Sequence, residues 1–461
     1  MLFSSNEFLF AFLPMVLLLY YIVPRKLRNP VLLLVSLFFY GWGEPVYLFL
    51  MIGTILINYI CGGWVARQRA AGRSGKAVLV GGVAANLLIL GYFKYAGFLV
   101  AQVQAILPFL GSLTVPDIPL PIGISFYVFQ SMSYIIDVYR DDAPVQNNVL
   151  TFGTYVTLFP QLIAGPIVRY SDVALQMDHR RENAGQFADG VLLFVCGLAK
   201  KVLLANPMGA LWNLLQVQDG LLTGWVGILA YTLQIYFDFS GYSDMALGLG
   251  KMLGFEFLIN FNYPYISSSI TEFWRRWHMS LSTWFKEYVY IPLGGNRKGK
   301  PRQIVNLLIV WMLTGLWHGA SWNFVLWGLY YALLLICEKL FLLKWLDKLP
   351  RALRHVYAMV IVMLGWALFY FEDMGALGSF LLRLFTPEAT TVQGMNVLLA
   401  YLPLLCVAIF ASTPAAKLLT QRYGDTAVVR YGKIIAAAGA LLLCVASLAS
   451  QSYNPFIYFR F

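Results

Sequence analysis

The side chains best placed to do chemistry are two histidines of one stretch, His278 and His318. An imidazole with a pKa near ~6.5 accepts and returns a proton at neutral pH. His278 lies in the Trp-rich, charged segment FWRRWHMSLSTW, residues 273–284. His318 lies near the middle of Gln303–Cys337, a run without Asp, Glu, Lys or Arg. At ~1.5 Å per residue, that run would make a straight helix about 52 Å long. A hydrocarbon core is only ~30 Å thick. Two segments are therefore expected, broken near Gly319-Ala320-Ser321, with His318 at a helix end deep in the membrane. Ionisable groups at such depth are costly and functional by default. Taken alone, His278 is equally well explained as a hydrogen-bonded packing residue.

Competing chemistries lack their motifs. There is no G-x-S-x-G, no H-E-x-x-H and no Cys/His cluster with metal spacing, so no metal is expected. A histidine without a resident nucleophile suits general-base attack by an incoming hydroxyl on an activated ester or thioester. Gly294–Lys300, GGNRKGK, nearly spells a P-loop, but Pro301 follows where Ser or Thr belongs. Without a strand–loop–helix context it reads as a basic cytoplasmic loop, able to steer an anionic cofactor. Cys61, Cys196, Cys337, Cys406 and Cys444 sit in or beside apolar runs, as packing residues.

The elements that must position these residues belong to a membrane protein. Of 461 residues 59% are hydrophobic and 12% charged, against about 45–50% and 25% in soluble domains. The net charge of +11 comes from short basic loops beside apolar runs, the positive-inside pattern. No basic surface on a soluble domain offers a nucleic-acid site.

Spans are expected over residues 8–23, 31–42, 46–65 and 77–92. The basic clusters after the first and third place both loops in the cytoplasm and the N-terminus outside. Residues 98–110 are apolar but short, and 113–122 are broken by Pro116, Pro119 and Pro121. Residues 123–136 and 153–167 are too short to span, so they suggest a packed, cavity-bearing body, with surface loops as the alternative. Residues 172–183 read as a polar loop with a solvated His179. A span over 187–204 ends at Lys200 and Lys201, which snorkelling explains.

Asp238–Asp244, DFSGYSD, is a polar knot. It either faces a cavity or partner or is a capped helix break. Ser269-Ile270-Thr271-Glu272 has capping-box spacing. From there Phe273, Trp277, Leu281, Trp284 and Tyr288 share one face of an expected amphipathic helix at the interface or dipping partway in. Residues 322–341, 355–371, 396–411 and 431–449 complete the spans, with His355 interfacial. The fold class is all-α: a polytopic membrane protein of about ten to twelve transmembrane helices plus re-entrant half-helices, as one domain over 1–461.

Three motifs carry a resemblance: residues 273–284, then YIPLGGNR at 290–297, then GLWHG at 315–319. They resemble the membrane-bound O-acyltransferase family, most closely its bacterial branch of alginate and peptidoglycan O-acetyltransferases. Residues 1–13, 121–140, 160–170, 236–244 and the C-terminal FIYFRF look similar too, so the resemblance covers nearly the whole chain. It implies a helical body around a central cavity, with the hallmark catalytic histidine mapping onto His318 and the upstream polar position onto His278. It also implies a bacterial inner-membrane protein that takes acetyl from a cytoplasmic donor, acetyl-CoA. A secreted or membrane-tethered partner of SGNH type, with a Ser-His-Asp site, would finish transfer to an extracytoplasmic polysaccharide such as alginate, peptidoglycan or cellulose.

The expected roles are general base or transient acyl carrier for His318, and positioning or polarising the ester for His278. Trp274, Arg275, Tyr242, Ser243 and Asn323 are the candidates for lining the cavity. The rival within enzymes resembles the D-alanyl transferase of teichoic acid modification, fed by a carrier-protein thioester. The rival from another class is a transporter with His318 and Asp238 as proton relay.

Overall fold

The computed structural model describes residues 1–110, 119–424, 426–450 and 456–457. Most of the proline-broken stretch 113–122 and of the C-terminal FIYFRF lies outside them. Every regular element among the described residues is a helix. Six helices are long and apolar enough to cross a membrane: Tyr47–Ala70, Lys76–Ile106, Trp322–Leu346, Arg351–Tyr370, Val392–Ala411 and Ala427–Ser450. The expected spans over 46–65, 322–341, 355–371, 396–411 and 431–449 lie within or largely over them. The chain's contacts group into two compact units.

The first unit comprises Met1–Leu193 and Ala246–Leu258. It contains α1 (Phe8–Ile22), α2 (Arg28–Gly41), α3 (Tyr47–Ala70) and α4 (Lys76–Ile106). Residues 98–106 are not a separate short segment. They continue α4 through a π-turn at Gly91–Tyr95. The short apolar stretches become α5 (Ile124–Arg140) and α6 (Val149–Thr157), with Phe159–Leu162 as a further turn. Their residues are buried almost throughout, which is the packed body and not the surface loops.

The stretch expected as a polar loop begins with α7 (Tyr170–His179). Its start is closed by Arg169, which pairs with Asp172 at 2.7 Å. Polar composition hid a helix whose buried side is Val173, Ala174 and Met177. Beyond it, Glu182 accepts hydrogen bonds from Tyr20 (2.6 Å) and pairs with Arg28 (2.5 Å). Arg180 donates to the Tyr20 hydroxyl (2.9 Å) and to Asn29 (2.7 Å).

The second unit comprises Phe194–Met245 and Ile259–Phe461. Helix α8 (Ala184–Ala199) runs through a π-turn at Lys200–Ala205 into α9 (Asn206–Leu215). Helix α10 (Leu221–Met252) is unbroken through the polar knot, so of the two readings the capped break does not hold and its carboxylates face partners. Lys201 reaches Asp238 at 2.6 Å and Lys200 reaches Asp244 at 2.6 Å, so neither lysine snorkels. Neutralised this way, the carboxylates need no loop to reach water. Gly197 and Gly241 let the helices touch: a Cβ on Gly197 would lie 2.5 Å from the Gly241 carbonyl. Close backbone approach through small residues is how helices pack where lipid supplies no hydrophobic drive.

The remaining helices are α11 (Ile270–Arg276), α12 (Met279–Phe285), α13 (Gly299–His318), α14 (Trp322–Leu346), α15 (Arg351–Tyr370), α16 (Met374–Arg383), α17 (Val392–Ala411), α18 (Ala415–Arg422) and α19 (Ala427–Ser450). Helices α13 and α14 form a hairpin around Gly319-Ala320-Ser321, the expected break. A Cβ on Gly315 would meet the Phe324 carbonyl at 2.2 Å, and one on Gly328 the Trp311 carbonyl at 2.2 Å. The hairpin exists in this form because those two residues are glycine.

Candidate functional site

The long amphipathic helix expected over 273–288 is two helices. Ser269 caps α11 by accepting from the Glu272 amide at 3.0 Å, as the spacing predicts. The Glu272 carboxylate takes the Ser268 amide (2.9 Å) and hydroxyl (3.0 Å) instead of closing the box on Ser269. The helix stops at Trp277, which is extended, and His278 sits at φ 43°, ψ 54°. For a side chain other than glycine this left-handed conformation is uncommon, and such strain persists only where the surroundings enforce it.

Asn260 enforces it. Its Oδ1 accepts from the Ser280 amide (3.1 Å) and hydroxyl (2.9 Å), and lies 3.1 Å from His278 Nδ1. The Asn260 carbonyl accepts from the Met279 amide at 3.0 Å. An amide N–H can only donate, so the Asn260 atom facing Ser280 is its oxygen. His278 Nδ1 is then the donor, and Nε2 carries the lone pair. Nε2 is buried and has no hydrogen-bond partner among the described residues. Between spanning segments and 1% exposed, the ring has its pKa lowered by burial and stays neutral. It can therefore accept a hydrogen bond from a hydroxyl. It cannot donate from Nε2 to an ester carbonyl, which favours positioning over polarising.

His318 is the last residue of α13, 7% exposed, with Gly319 extended behind it. Trp317 lies beside both histidines, its ring 5.0 Å from that of His318 and 5.9 Å from that of His278. Trp327 (5.1 Å) and Phe369 (5.2 Å) close further sides of His318, edge to face. Phe239 of α10 stands edge-on to His278 at 4.7 Å.

Trp274 packs against Trp327 (5.6 Å), Tyr331 (4.9 Å) and Trp311 (4.6 Å), one ring removed from His318. Asn323 is fully buried and donates to the Phe369 carbonyl at 3.1 Å, tying α14 to the end of α15 that carries a wall of the site. Tyr242 and Ser243 are buried in α10, one turn beyond Phe239. Tyr242 stacks on Phe456 at 4.8 Å. Arg275 is exposed and is not gathered with these residues. Trp317 and Phe239 lie inside stretches the sequence singles out, GLWHG and DFSGYSD, but Asn260, Trp327 and Phe369 carry no signal in a single sequence; Asn260 in INFNY is an ordinary polar residue until the fold brings it to His278.

Asp238 does not behave as a free relay group. Its Oδ1 pairs with Lys201 and its Oδ2 accepts from the Ile457 amide at 2.7 Å. His355 donates from Nδ1 to the Ser267 carbonyl at 3.1 Å, and His179 is exposed. No group of His, Cys, Asp and Glu among the described residues could hold a metal ion, and the described cysteines form no disulfide.

The sequence pattern of the MBOAT, membrane-bound O-acyltransferase family, matches residues 140–372, which include both histidines. The chain is 42% identical, over the full length of both, to a probable alginate O-acetylase AlgI of Azotobacter vinelandii. It is 34% identical to the peptidoglycan O-acetyltransferase of Helicobacter pylori, over 81% of this chain and 78% of that one. Similarity to the teichoic acid D-alanyltransferase of Bacillus subtilis is 28% identity over 57% of this chain and 74% of that one.

Proposed function

The chain belongs to the membrane-bound O-acyltransferase family and is a membrane-embedded acyltransferase, and we propose that it O-acetylates an extracytoplasmic polysaccharide with acetyl from a cytoplasmic donor, acetyl-CoA. One observation carries the reading: two buried histidines flank Trp317, one at a helix end and one presenting an unpartnered Nε2. His318 acts as general base, taking the proton as a hydroxyl oxygen attacks the acetyl carbonyl carbon. The C–O bond forms, the C–S bond of the thioester breaks, and the proton passes to the departing thiolate. His278 Nε2 accepts a hydrogen bond from a second hydroxyl of the acceptor and so orients the attacking one for His318. Trp317, Trp327 and Phe369 keep water from the thioester.

The full-length likeness to the alginate O-acetylase supports the acetyl branch over the D-alanyl rival, whose relative matches less of the chain at lower identity. Asp238, engaged by Lys201 and the Ile457 amide, gives the transporter rival no relay partner. A partner of SGNH type would complete transfer to the glycan. The two basic loops after the first and third expected spans support an N-terminus outside, and the likeness to bacterial relatives supports an inner-membrane location.

His318→Ala should abolish glycan acetylation, a loss of about 10²–10⁴-fold, while membrane expression is unchanged; full activity would sink the assignment. Radiolabelled acetyl-CoA offered to the purified protein should label the partner or glycan. Label held on the protein itself would make His318 an acyl carrier instead of a base.

A further inference from the structure

A cavity of about 560 Å³, lined by neither His278 nor His318, lies within the second unit. Its floor is apolar: Leu229 and Leu233 of α10, Met359 and Met363 of α15, and Ile409 of α17. Its mouth is polar, formed by Arg351, His355, Ser412 and Thr413. Arg351, His355, Met359 and Met363 follow one another at four-residue steps, so they form one stripe along α15. Over roughly 18 Å that stripe passes from a guanidinium to two thioethers. A polar head and an apolar tail on one molecule fit such a gradient.

The mouth also lies where a lipid headgroup would. Arg351 is the first residue of one spanning helix, and Ser412 directly follows the last residue of another. Lys344, Lys348, Arg351 and Arg354 against a single Asp347 make the turn before α15 basic, and α18 adds Lys417 and Arg422. Basic juxtamembrane segments attract anionic lipids of the cytoplasmic leaflet. Arg354 is committed to Asp347 at 3.2 Å, whereas Arg351 is exposed and makes no ion pair among the described residues. The other mouth groups are acceptors. Ser412 and Thr413 already give their protons to the Ile409 and Phe410 carbonyls, and His355 gives its Nδ1 proton to Ser267.

We propose that this cavity binds one anionic phospholipid whose headgroup also carries hydroxyl donors, phosphatidylglycerol being the simplest. The phosphate pairs with Arg351, the two glycerol hydroxyls donate to two of the three acceptors Ser412, Thr413 and His355, and one acyl chain lies along Met359 and Met363. The occupant is a bilayer lipid and not a free phosphate, because the apolar floor makes up most of the lining.

Native mass spectrometry of the full-length protein in mild detergent tests this with phosphatidylglycerol, phosphatidylcholine and glycerol phosphate. Wild type should retain a single phosphatidylglycerol at least about fivefold more tightly than phosphatidylcholine, and Arg351→Ala should erase that preference. Met359→Trp, which fills the tail groove, should lower uptake of both lipids. Equal retention of the two lipids by wild type, unchanged preference in Arg351→Ala, or displacement by glycerol phosphate alone would each overturn the proposal. If Met359→Trp does not fold, the Arg351→Ala comparison decides.

Discussion

Asp238 and His278 are both buried polar side chains of the second unit, and they are completed in opposite ways. Asp238 has a partner for each oxygen, Lys201 on one and the Ile457 amide on the other. His278 has Asn260 on one nitrogen and, among the described residues, no hydrogen-bond partner on the other. Buried polar groups are nearly always satisfied, and an orphan costs about 1–3 kcal/mol. The charged site is closed as a structural pair is, and the open nitrogen of the neutral one is what the proposed function uses for recognition. The Tyr20–Arg28–Arg180–Glu182 network of the first unit belongs with Asp238: closed, charged and structural.

The comparison breaks most severely at Lys201. Lys201→Met strands a buried carboxylate, and a loss of about 3–5 kcal/mol is expected. The pair Lys201→Met with Asp238→Leu should recover most of it, as read by thermal unfolding in detergent. If the single variant melts like wild type, the closed site is not structural.

At His278 the weight shifts from stability to rate. His278→Asn keeps a residue that tolerates the left-handed backbone but cannot present the same lone pair. Acetyl transfer should fall by about 10²-fold with the melting temperature little changed. Equal damage to both would return His278 to a packing role.

Gly315→Ala tests the scaffold that aims His318. Its Cβ would sit 2.2 Å from the Phe324 carbonyl, so α13 and α14 must separate, at about 1–3 kcal/mol, with activity falling alongside stability.

The mildest test is Glu182→Gln. Burial pushes this carboxyl up, but hydrogen bonds from Tyr20 and Arg28 outweigh it and hold the pKa below the ordinary value. A carboxyl lowered in the folded state stabilises above the unfolded pKa, and that contribution fades as pH falls through the folded one. Glu182→Gln should cost about 1–2 kcal/mol near neutrality. The gap to wild type should narrow in acid.

The same contrast explains what was legible in the sequence. His318 could be placed because its evidence is local: an uncharged run too long for one span, with small residues where it must turn. The Ser269 cap was equally local. The His278 break was not, because Phe273, Trp277, Leu281, Trp284 and Tyr288 keep helical spacing across it, and the residue that interrupts them is Asn260. The Asp238–Asp244 knot stayed undecided for the same reason. Its acids leave a break and a partner equally open until Lys200 and Lys201 arrive from the preceding helix. Residues 172–183 hid a helix behind polar composition. Patterns within one element could be seen, and partners from another could not.

The amide that completes Asp238 comes 219 residues later in the chain. At about 5–20 residues per second, a ribosome needs roughly ten to forty seconds to make that stretch. Throughout that interval a newly inserted α10 holds its carboxylate against Lys201 alone. The insertion machinery, or a chaperone that shields polar groups in lipid, has its longest opportunity to engage this protein then. Stalled chains ending before Phe456 should crosslink to such factors through α10 more strongly than chains that include Ile457. Equal crosslinking would show that Lys201 suffices.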